Sequence, residues 1–316
     1  MQPERGHSFV QPAAQSGIAL VMVLWMLALL SVIAGSLVFS SRTEMLMAGN
    51  TAALAQAEAS ADAGVYMAIH ELVRPQTDLT RWKGDGLTHL WTFHGAELRV
   101  TILDESAKID LNAAPVALLK GLLNALGVAE PDADALADAV LDWRDADDLR
   151  SLHGAEKAEY AAAGREYGPA NAPFGTIEEL RQVLGMSDDL FRKLEPLVTV
   201  HSRQPSVNAA VAPREVLLAL PGATAEQVDS FLEQRRILIE QGNPAPAFPG
   251  GQGFLSGASG SVFSIQVEAI ASDDVRFFRE AVVRMTGDIK GPVTTLAWRA
   301  PIRSFSQAAY APVIEK

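Results

Sequence analysis

The sequence contains no cysteine. A disulfide framework, a thiolate metal site and a cysteine nucleophile are therefore excluded. The six histidines are scattered along the chain, and none forms a metal-binding pair such as His-x-x-x-His. No phosphate-binding loop or dinucleotide fingerprint occurs, and the Gly- and Ser-containing stretch 257–261 lacks the strand-to-helix context of a nucleophile elbow. These absences predict a protein that has no catalytic residues and is not an enzyme.

Positive charge is also scarce. The chain has 26 Lys and Arg residues against 38 Asp and Glu residues, which gives a formal net charge of −12. Binding to nucleic acid depends on neutralising phosphates with Lys and Arg. We therefore expect no nucleic-acid partner.

Charge is absent altogether from a long stretch near the N-terminus. Residues 18–39 are apolar or small, and no Asp, Glu, Lys or Arg lies between Arg5 and Arg42. A run of more than about 18 such residues is long enough to cross a bilayer as a helix. Helix-forming composition continues through residues 42–73, with no proline before Pro75. The sequence therefore predicts one helix, on the order of 80 Å long, with a soluble domain after it.

The N-terminus allows three interpretations. A secretory signal peptide has a shorter apolar core than this one, and a plain membrane anchor fits the hydropathy. The third interpretation considers residues 1–17, a polar segment that ends in Gln-Ser-Gly directly before the apolar run. This segment resembles a prepilin-type leader, which a membrane peptidase cuts after the glycine. Cleavage after Gly17 would make Ile18 the new N-terminus.

The fifth position after that cleavage point is Met22. Most pilin-like proteins carry a glutamate there, which is thought to pair with the terminal amine of a neighbouring subunit. A carboxylate in hydrocarbon without a partner is costly, and a subunit at the tip of a filament has no neighbour beyond it. Met22 therefore favours a tip subunit; for a plain anchor it has no meaning.

The rest of the chain predicts an α+β fold, in which the long pilin-like N-terminal helix packs on an antiparallel sheet. Strand patterns occupy 87–93 and 98–103, then 262–270, 276–286 and 293–299. Short helices at 116–126, 132–143, 176–183 and 188–198 form a large inserted all-α domain between them. The predicted segments are a leader (1–17), a transmembrane or polymerisation helix (18–41), the helix continuation and first strands (42–104), the inserted helical domain (105–242), a flexible surface loop (243–261), and C-terminal strands with a tail (262–316).

The inserted domain contains an internal echo, since residues 109–119 resemble residues 207–218. Gly185 and Gly222 each precede a new helix and look like helix-hairpin-helix turns. Such turns often hold a DNA phosphate on the amides of the following helix, but here Asp188, Asp189 and Glu226 follow them and would repel phosphate. We interpret them as packing units. A membrane-anchored helix-hairpin-helix protein that binds DNA in a pilus-like uptake system remains the alternative function.

The densest acidic cluster follows the second predicted helix, and its spacing is partly that of a calcium loop. Asp145, Asp147 and Glu156 occupy positions 1, 3 and 12 of an EF-hand-like spacing, but Leu149 and Arg150 stand where a ligand and a glycine are needed. A Ca²⁺ site and a solvated helix end, with Arg144 and Arg150 as ion-pair partners, both remain open. The candidate ligands are Asp142, Asp145, Asp147, Asp148 and Glu156.

Taken in order, these segments resemble the K-type minor pseudopilin family (GspK) of bacterial type II secretion systems. The residues that carry the resemblance are Gly17, 19–30, 104–115, 141–147, 154–156, 171–174, 178–180 and 207–213. The second repeat departs from the family pattern, with Ala209 and Ala210 where the family tends toward Leu and Asn.

The resemblance implies a non-enzymatic protein, cleaved and N-methylated at Ile18 by the prepilin peptidase. Such a protein joins the I- and J-type minor pseudopilins and the major pseudopilin, caps the pseudopilus tip and helps to start its assembly for export of folded proteins. The resemblance also implies a single-pass inner-membrane protein with a periplasmic C-terminal domain, and Ca²⁺ in the helical domain. We further expect Met45, Leu54, Val65 and Leu72 to face partner helices.

Overall fold

A computed structural model describes residues 16–301, except 79, 258–259, 272–273 and 289–290, together with the short strand at 313–314. Most of the leader segment, residues 1–15, lies outside the described residues. The chain divides into two compact units, Met1–Ala55 and Gln56–Lys316, which are described separately below.

The first unit contains the beginning of helix α1 (Ser16–Val73). Its apolar stretch is exposed throughout and is long enough to cross a membrane. The hydroxyls of Ser31, Thr43 and Thr51 donate to backbone carbonyls four residues earlier, at 2.8, 3.0 and 2.8 Å. The helix therefore satisfies these polar groups itself, as a helix in an apolar environment must.

The second unit is built on an antiparallel sheet with the last part of α1 packed on it. Strands β1 (Asp85–Phe93) and β2 (Ala96–Asp104) form a hairpin, and β5 (Val262–Ile270), β6 (Arg276–Met285) and β7 (Val293–Arg299) form a meander. Strand β8 (Val313–Ile314) adds to β1 in parallel, and the order is β7-β6-β5-β2-β1-β8. Ala61, Val65 and Ala68 of α1 are buried in one core with sheet residues such as Val100 and Val267. The predicted fold is confirmed.

The β1–β2 hairpin turns at His94 and Gly95. His94 and Gly95 have φ values of 46° and 81°, and two consecutive left-handed residues produce the two-residue turn that suits twisted antiparallel strands. Helix α1 ends at Val73, before Pro75, because proline has no N–H to continue the hydrogen-bond ladder.

The inserted domain lies in the chain between β2 and β5 and has its own hydrophobic core. Two helix predictions need correction: 176–183 is a 3₁₀ helix over Ile177–Gln182, and the helix predicted at 188–198 ends at Leu194. The parallel pair β3 (Ile109–Asp110) and β4 (Val198–Thr199) was also missed, since two-residue strands show no alternation. The helices of this domain are α2 (Val116–Ala125), α3 (Glu130–Arg144), α4 (Lys157–Ala162), α5 (Asp188–Leu194), α6 (Arg214–Leu218) and α7 (Ala225–Glu240).

Segment 243–261 is more than a surface loop. Phe248 is 8% exposed and belongs to the core of the inserted domain. Its ring meets that of Phe231 edge-on at 5.0 Å between centroids, and Val207 forms a bridge with Leu255. The Pro and Gly content of the segment correctly indicated irregular backbone, but it did not reveal this packing.

The sequence similarity between residues 109–119 and 207–218 corresponds to a structural repeat. Asp110 Oδ1 accepts hydrogen bonds from the backbone N–H groups of Asn112 and Ala113, at 2.9 and 3.0 Å. In the second copy, Asn208 Oδ1 accepts from Ala210 N at 3.0 Å. Each turn leads into a proline that caps a helix, Pro115 for α2 and Pro213 for α6.

An arginine secures each copy of the repeat at equivalent positions. Arg144, the last residue of α3, donates to the carbonyls of Leu111 and Ala114. Arg235, on α7, donates to the carbonyls of Ala209 and Ala212 at 2.9 and 2.7 Å. Each helical hairpin is thus tied back to the turn that starts it.

A buried polar network joins the sheet to the inserted domain. Glu105, 1% exposed, follows β2 and lies 2.7 Å from the Lys108 ammonium. The hydroxyls of Thr199 on β4 and Ser264 on β5 also donate to its carboxylate. These contacts join the start of the insertion, strand β4 within it and the returning strand β5 at one carboxylate.

The expected partner-facing positions on α1 need correction. Val65 and Leu72 are 0% and 8% exposed and pack on the sheet of their own chain. Met45 and Leu54 are 76% and 47% exposed. Only Met45 and Leu54 remain available to partner helices. The prediction failed for Val65 and Leu72 because helical spacing alone does not show which apolar face of the helix the protein's own sheet covers.

We predict that Gly121→Ala destabilises the inserted domain. A Cβ at Gly121 on α2 would lie 2.1 Å from the carbonyl oxygen of Ala219. This oxygen belongs to backbone, so the two helical segments must separate, and we expect a loss of about 1–3 kcal/mol or more in unfolding free energy. Urea unfolding of the purified chain measures it. Gly257→Ala is the matched control, since nothing lies within 4 Å of that Cβ; equal stability of the two variants would contradict the close approach.

Candidate functional site

The candidate site is the acidic loop, residues 145–156, which follows α3. The loop folds back along the helix that precedes it. Ser151 N donates to both oxygens of Asp142, at 3.1 and 3.2 Å, and His153 N donates to Asp138 Oδ2 at 3.0 Å. Asp138 and Asp142 stand four residues apart and share one face of α3. The helix thus fixes the path of the loop.

Gly154 allows the loop to approach Asp142. A Cβ at this position would lie 2.0 Å from Asp142 Oδ2. Asp142 itself is fully buried. Glycine is therefore needed at position 154, because any side chain there would occupy the space that the Asp142 carboxylate fills.

Several oxygen atoms in and beside the loop are buried without a hydrogen-bond donor. They are Asp145 Oδ1, Asn171 Oδ1 and both carboxylate oxygens of Glu156, whose only approach to a donor within the described part of the chain is the capping-box contact with Glu159 N at the start of α4. Glu156 is 7% exposed. Burying carboxylate oxygens without donors is costly unless a cation compensates, and an all-oxygen set of carboxylates and a carboxamide suits Ca²⁺. The chemical type of these oxygens therefore suits a calcium ion.

The electrostatics support the same conclusion. Burial raises the pKa of Glu156, and the charges of Asp142, Asp145, Asp148 and Asp147 raise it further. Burial likewise raises the pKa of Asp145, with Asp147 and Asp142 adding to it and Arg144 opposing. The five predicted carboxylates therefore lie close enough to repel one another, and a bound cation would remove that repulsion.

The five predicted ligands differ in how many of their oxygens already accept hydrogen bonds: Asp142 accepts at both oxygens, whereas Asp147 and Asp148 accept at one. Asp147 Oδ1 accepts from Leu149 N and Asp148 Oδ1 accepts from Asn171 Nδ2, each at 2.9 Å. Among the described residues, no group of three or more His, Asp and Glu side chains stands ready to hold a metal ion.

The alternative ion-pair partners are engaged elsewhere. Arg150 pairs with Glu159 at 2.7 Å, and Arg144 donates to backbone carbonyls of the first repeat. Among the described residues, neither arginine forms an ion pair with a candidate ligand, although the charge of Arg144 opposes the rise in the pKa of Asp145. A Ca²⁺ site and a solvated helix end therefore both remain open for this cluster.

Asn171 is the site residue that sequence reasoning missed. It lies fifteen residues beyond the acidic loop, and it has a left-handed φ of 48°. The same segment is held in place by Asn112, whose side-chain amide donates to Phe174 O at 2.9 Å and accepts from Phe174 N at 2.7 Å. The asparagine at the start of the 171–174 motif was the feature of the sequence that could have indicated a further oxygen ligand.

The processing residues lie at the start of α1. Gly17 is within the described helix backbone. Ile18 and Met22 are 61% and 67% exposed. The structure thus places both side chains on a helix surface that an apolar environment or a partner can cover.

The helix-hairpin-helix turns number three among the described residues, one more than predicted. Gly127, Gly185 and Gly222 have φ values of 85°, 90° and 79°, and a helix begins three residues after each. Acidic residues occupy the first turn of all three helices. Phosphate binding at these helix starts is therefore disfavoured.

These features define a pilin-like protein: a long helix, exposed and apolar at its start, whose last turns pack on an antiparallel sheet. A family model described as "Type II secretion system (T2SS), protein K" matches residues 98–203. The type II secretion system protein K of Pseudomonas aeruginosa is 29% identical over 242 residues, which cover 70% of this chain and 72% of that protein. Its Klebsiella pneumoniae namesake is 32% identical over 228 residues, covering 65% and 69%.

The chain therefore belongs to the type II secretion system protein K family, whose members are minor pseudopilins. Its fold matches a solved chain in the GspK–GspI–GspJ complex from enterotoxigenic Escherichia coli. The TM-score is 0.58 at 19% identity, over 78% of this chain and 96% of that one. The alternative of a DNA-binding uptake protein is not favoured.

Proposed function

We propose that this minor pseudopilin caps the tip of the pseudopilus and helps to start its assembly for export of folded proteins. The carrying observation is an exposed apolar α1 with Met22 at the fifth position after Gly17. I- and J-type minor pseudopilins are its proposed partners, because the similar solved chain is in complex with such subunits. The major pseudopilin is a further proposed partner and would form the filament beneath this tip. The large insertion would block a further subunit above. Co-purification with the I- and J-type subunits tests this function.

The proposed location is the inner membrane, crossed once by α1, with the C-terminal domain in the periplasm. Residues 18–39 would span about 33 Å as a helix, which matches the hydrocarbon core of a bilayer. The prepilin peptidase would cut after Gly17 and methylate Ile18. The function is structural and needs no catalytic residue.

Met22→Glu tests the tip position. A carboxylate at this depth is costly without a partner amine, so we expect poor incorporation or movement of the subunit away from the tip. Secretion of a reporter and pseudopilus length measure the effect, with Met22→Leu as the apolar control. Normal secretion and normal length with Met22→Glu would argue against a role of this position at the tip.

Ca²⁺ is the proposed ligand of the acidic loop, with Asp145, Glu156 and Asn171 supplying free oxygens and Asp142, Asp147 and Asp148 nearby. We expect Ca²⁺ at about 100 times its Kd to stabilise the chain by about 2.7 kcal/mol. That raises the melting temperature relative to EGTA by about 5–10 °C. Trp143 beside Asp142 is stacked with Phe174 and offers a fluorescence readout. Equal melting temperatures in Ca²⁺ and EGTA would refute the site.

Glu156→Gln is the matched variant. Because the pKa of Glu156 is raised, its folded form binds protons more tightly than its unfolded form, and metal-free stability falls as pH rises between the two pKa values. The neutral amide should therefore raise the melting temperature in EGTA at pH 7 and abolish the Ca²⁺ response. For the same reason, the Ca²⁺ response of the unaltered chain should be smaller at pH 5 than at pH 7.5.

A further inference from the structure

Two leucines in the acidic loop are unusually exposed. Leu149 is 76% exposed and Leu152 is 83% exposed. Among the described residues outside α1, every other large apolar side chain is at most 40% exposed. Single exposed leucines are ordinary, but two at this level within four residues form an apolar patch. We call Leu149 and Leu152 the leucine tip.

The exposure does not come from a loose backbone. Leu149 N donates to Asp147 Oδ1 at 2.9 Å, and the N–H groups of the residues at 151 and 153 are bound by α3 carboxylates, as described above. These bonds alternate along the loop and hold it against α3. The fold thus presents the two leucines outward and does not cover them.

The surroundings of the leucine tip are negative. Asp147 and Asp148 precede Leu149 and are exposed, and Asp138 lies under the loop. Arg150, between the two leucines, is neutralised by Glu159. Complementary charge across an interface steers association and excludes wrong partners. A surface that receives this tip should therefore offer an apolar pocket with Lys or Arg at its rim.

The same charges disfavour two other occupants. A second copy of this chain would bring its own exposed Asp147 and Asp148 against this one, and like charges repel. A membrane surface carrying anionic lipid attracts basic segments and repels acidic ones. A different protein with a basic rim remains as the favoured occupant.

We propose that the leucine tip docks into an apolar, basic-rimmed pocket on another component of the secretion system. This inference rests on the proposed function for the setting in which that component is met. Leu149 and Leu152 would act as the buried anchors of the interface, with the surrounding acids as its polar rim.

Because the chain has no cysteine, one substitution introduces a unique label. Leu149→Cys and Leu152→Cys are each expressed with the full secretion system, or with the prepilin peptidase alone, and cells are treated with a small maleimide. We expect labelling at least tenfold slower with the full system. Ile237→Cys on α7, 40% exposed in the unaltered residue, should label equally in both strains.

Equal labelling of the leucine-tip cysteines in both strains would overturn the proposal. Slow labelling in both strains would also overturn it, since lipid, cargo or a second copy would then be the cover. Slow labelling of Ile237→Cys with the full system would show non-specific shielding and count equally against it. In the detergent-solubilised assembly, the protection should weaken when salt is raised, because the rim is charged.

Secretion separates this inference from the proposed function. The double variant Leu149→Ser, Leu152→Ser should keep the wild-type melting temperature, because both side chains are exposed, and should lower export of a reporter at least tenfold. Normal export by the double variant, in cells where deletion of the gene blocks export, overturns the docking inference alone. Normal export after deletion of the gene instead overturns the proposed function.

Discussion

Replacing Glu105 by alanine is expected to lower the free energy of unfolding by about 3–5 kcal/mol. The change leaves the Lys108 ammonium, in a residue only 7% exposed, without the carboxylate 2.7 Å away. It also leaves the hydroxyls of Thr199 and Ser264 without their acceptor. Urea unfolding of the detergent-solubilised chain, followed by tryptophan fluorescence, measures the loss.

Two controls make this result specific to the buried network. Glu233→Ala removes an exposed partner of Arg236 and should change the free energy of unfolding far less, because solvent screens a surface ion pair. Replacing Glu105 and Lys108 together by methionine should recover part of the loss, because the buried ammonium is then removed together with the carboxylate that it lies against. Recovery should be incomplete, since the two hydroxyls stay unsatisfied. An equal cost for Glu105→Ala and Glu233→Ala would show that the network does not hold the junction.

Acid should weaken the same network. Burial alone would raise the pKa of Glu105, but the Lys108 charge and hydrogen bonds from Lys108, Ser264 and Thr199 lower it below its usual value. A lowered pKa contributes stability that is complete above the ordinary value, about 4.3, and is lost as pH falls through the folded-state value. Glu105→Gln should lack this part of the acid transition. The direction is opposite to that of Glu156, whose pKa is raised.

Gly17→Ala is expected to abolish removal of the leader. A glycine needs no side-chain space in a peptidase that cuts directly after it, and a methyl group at this position would occupy that space. Cells that contain the prepilin peptidase should therefore accumulate the full-length chain, visible as slower gel mobility and confirmed by the mass of the N-terminal peptide. The wild-type chain should instead begin at Ile18 and carry a methyl group.

Gly35→Ala is the matched control for this experiment. Gly35 is also a glycine of α1, and nothing lies within 4 Å of its Cβ position. This variant should be processed like the wild type. Unchanged mobility of the wild-type chain in the presence of the peptidase would refute the leader, and normal processing of Gly17→Ala would refute the role of the glycine.

Local chemistry made much of the fold predictable. Strands at 262–270 and 293–299 have the predicted bounds, because side chains that alternate between core and solvent leave a period of two in the sequence. The end of α1 before Pro75 and the starts of α2 and α6 after Pro115 and Pro213 follow from the missing N–H of proline. These features depend on a few neighbouring residues.

Contacts between distant residues were not predictable in the same way. Asn171 joins the acidic loop through Asp148, 23 positions earlier, and Arg235 reaches back to Ala209. Val65 and Leu72 pack on the protein's own sheet although their helical spacing fits a partner equally well. Such contacts join residues that are far apart in the sequence, and no local sequence pattern shows which distant residues will meet.

The sequence alone determined that residues 18–39 of α1 are uncharged and that Met22 stands where an acid would otherwise be, because a missing charge is a property of the residues themselves and needs no fold. It also determined that acids collect between Asp142 and Glu156. Tertiary structure decided which of their oxygens lack a donor, since burial and hydrogen-bond partners exist only after folding. It also decided that α3 holds the acidic loop so that Leu149 and Leu152 face outward.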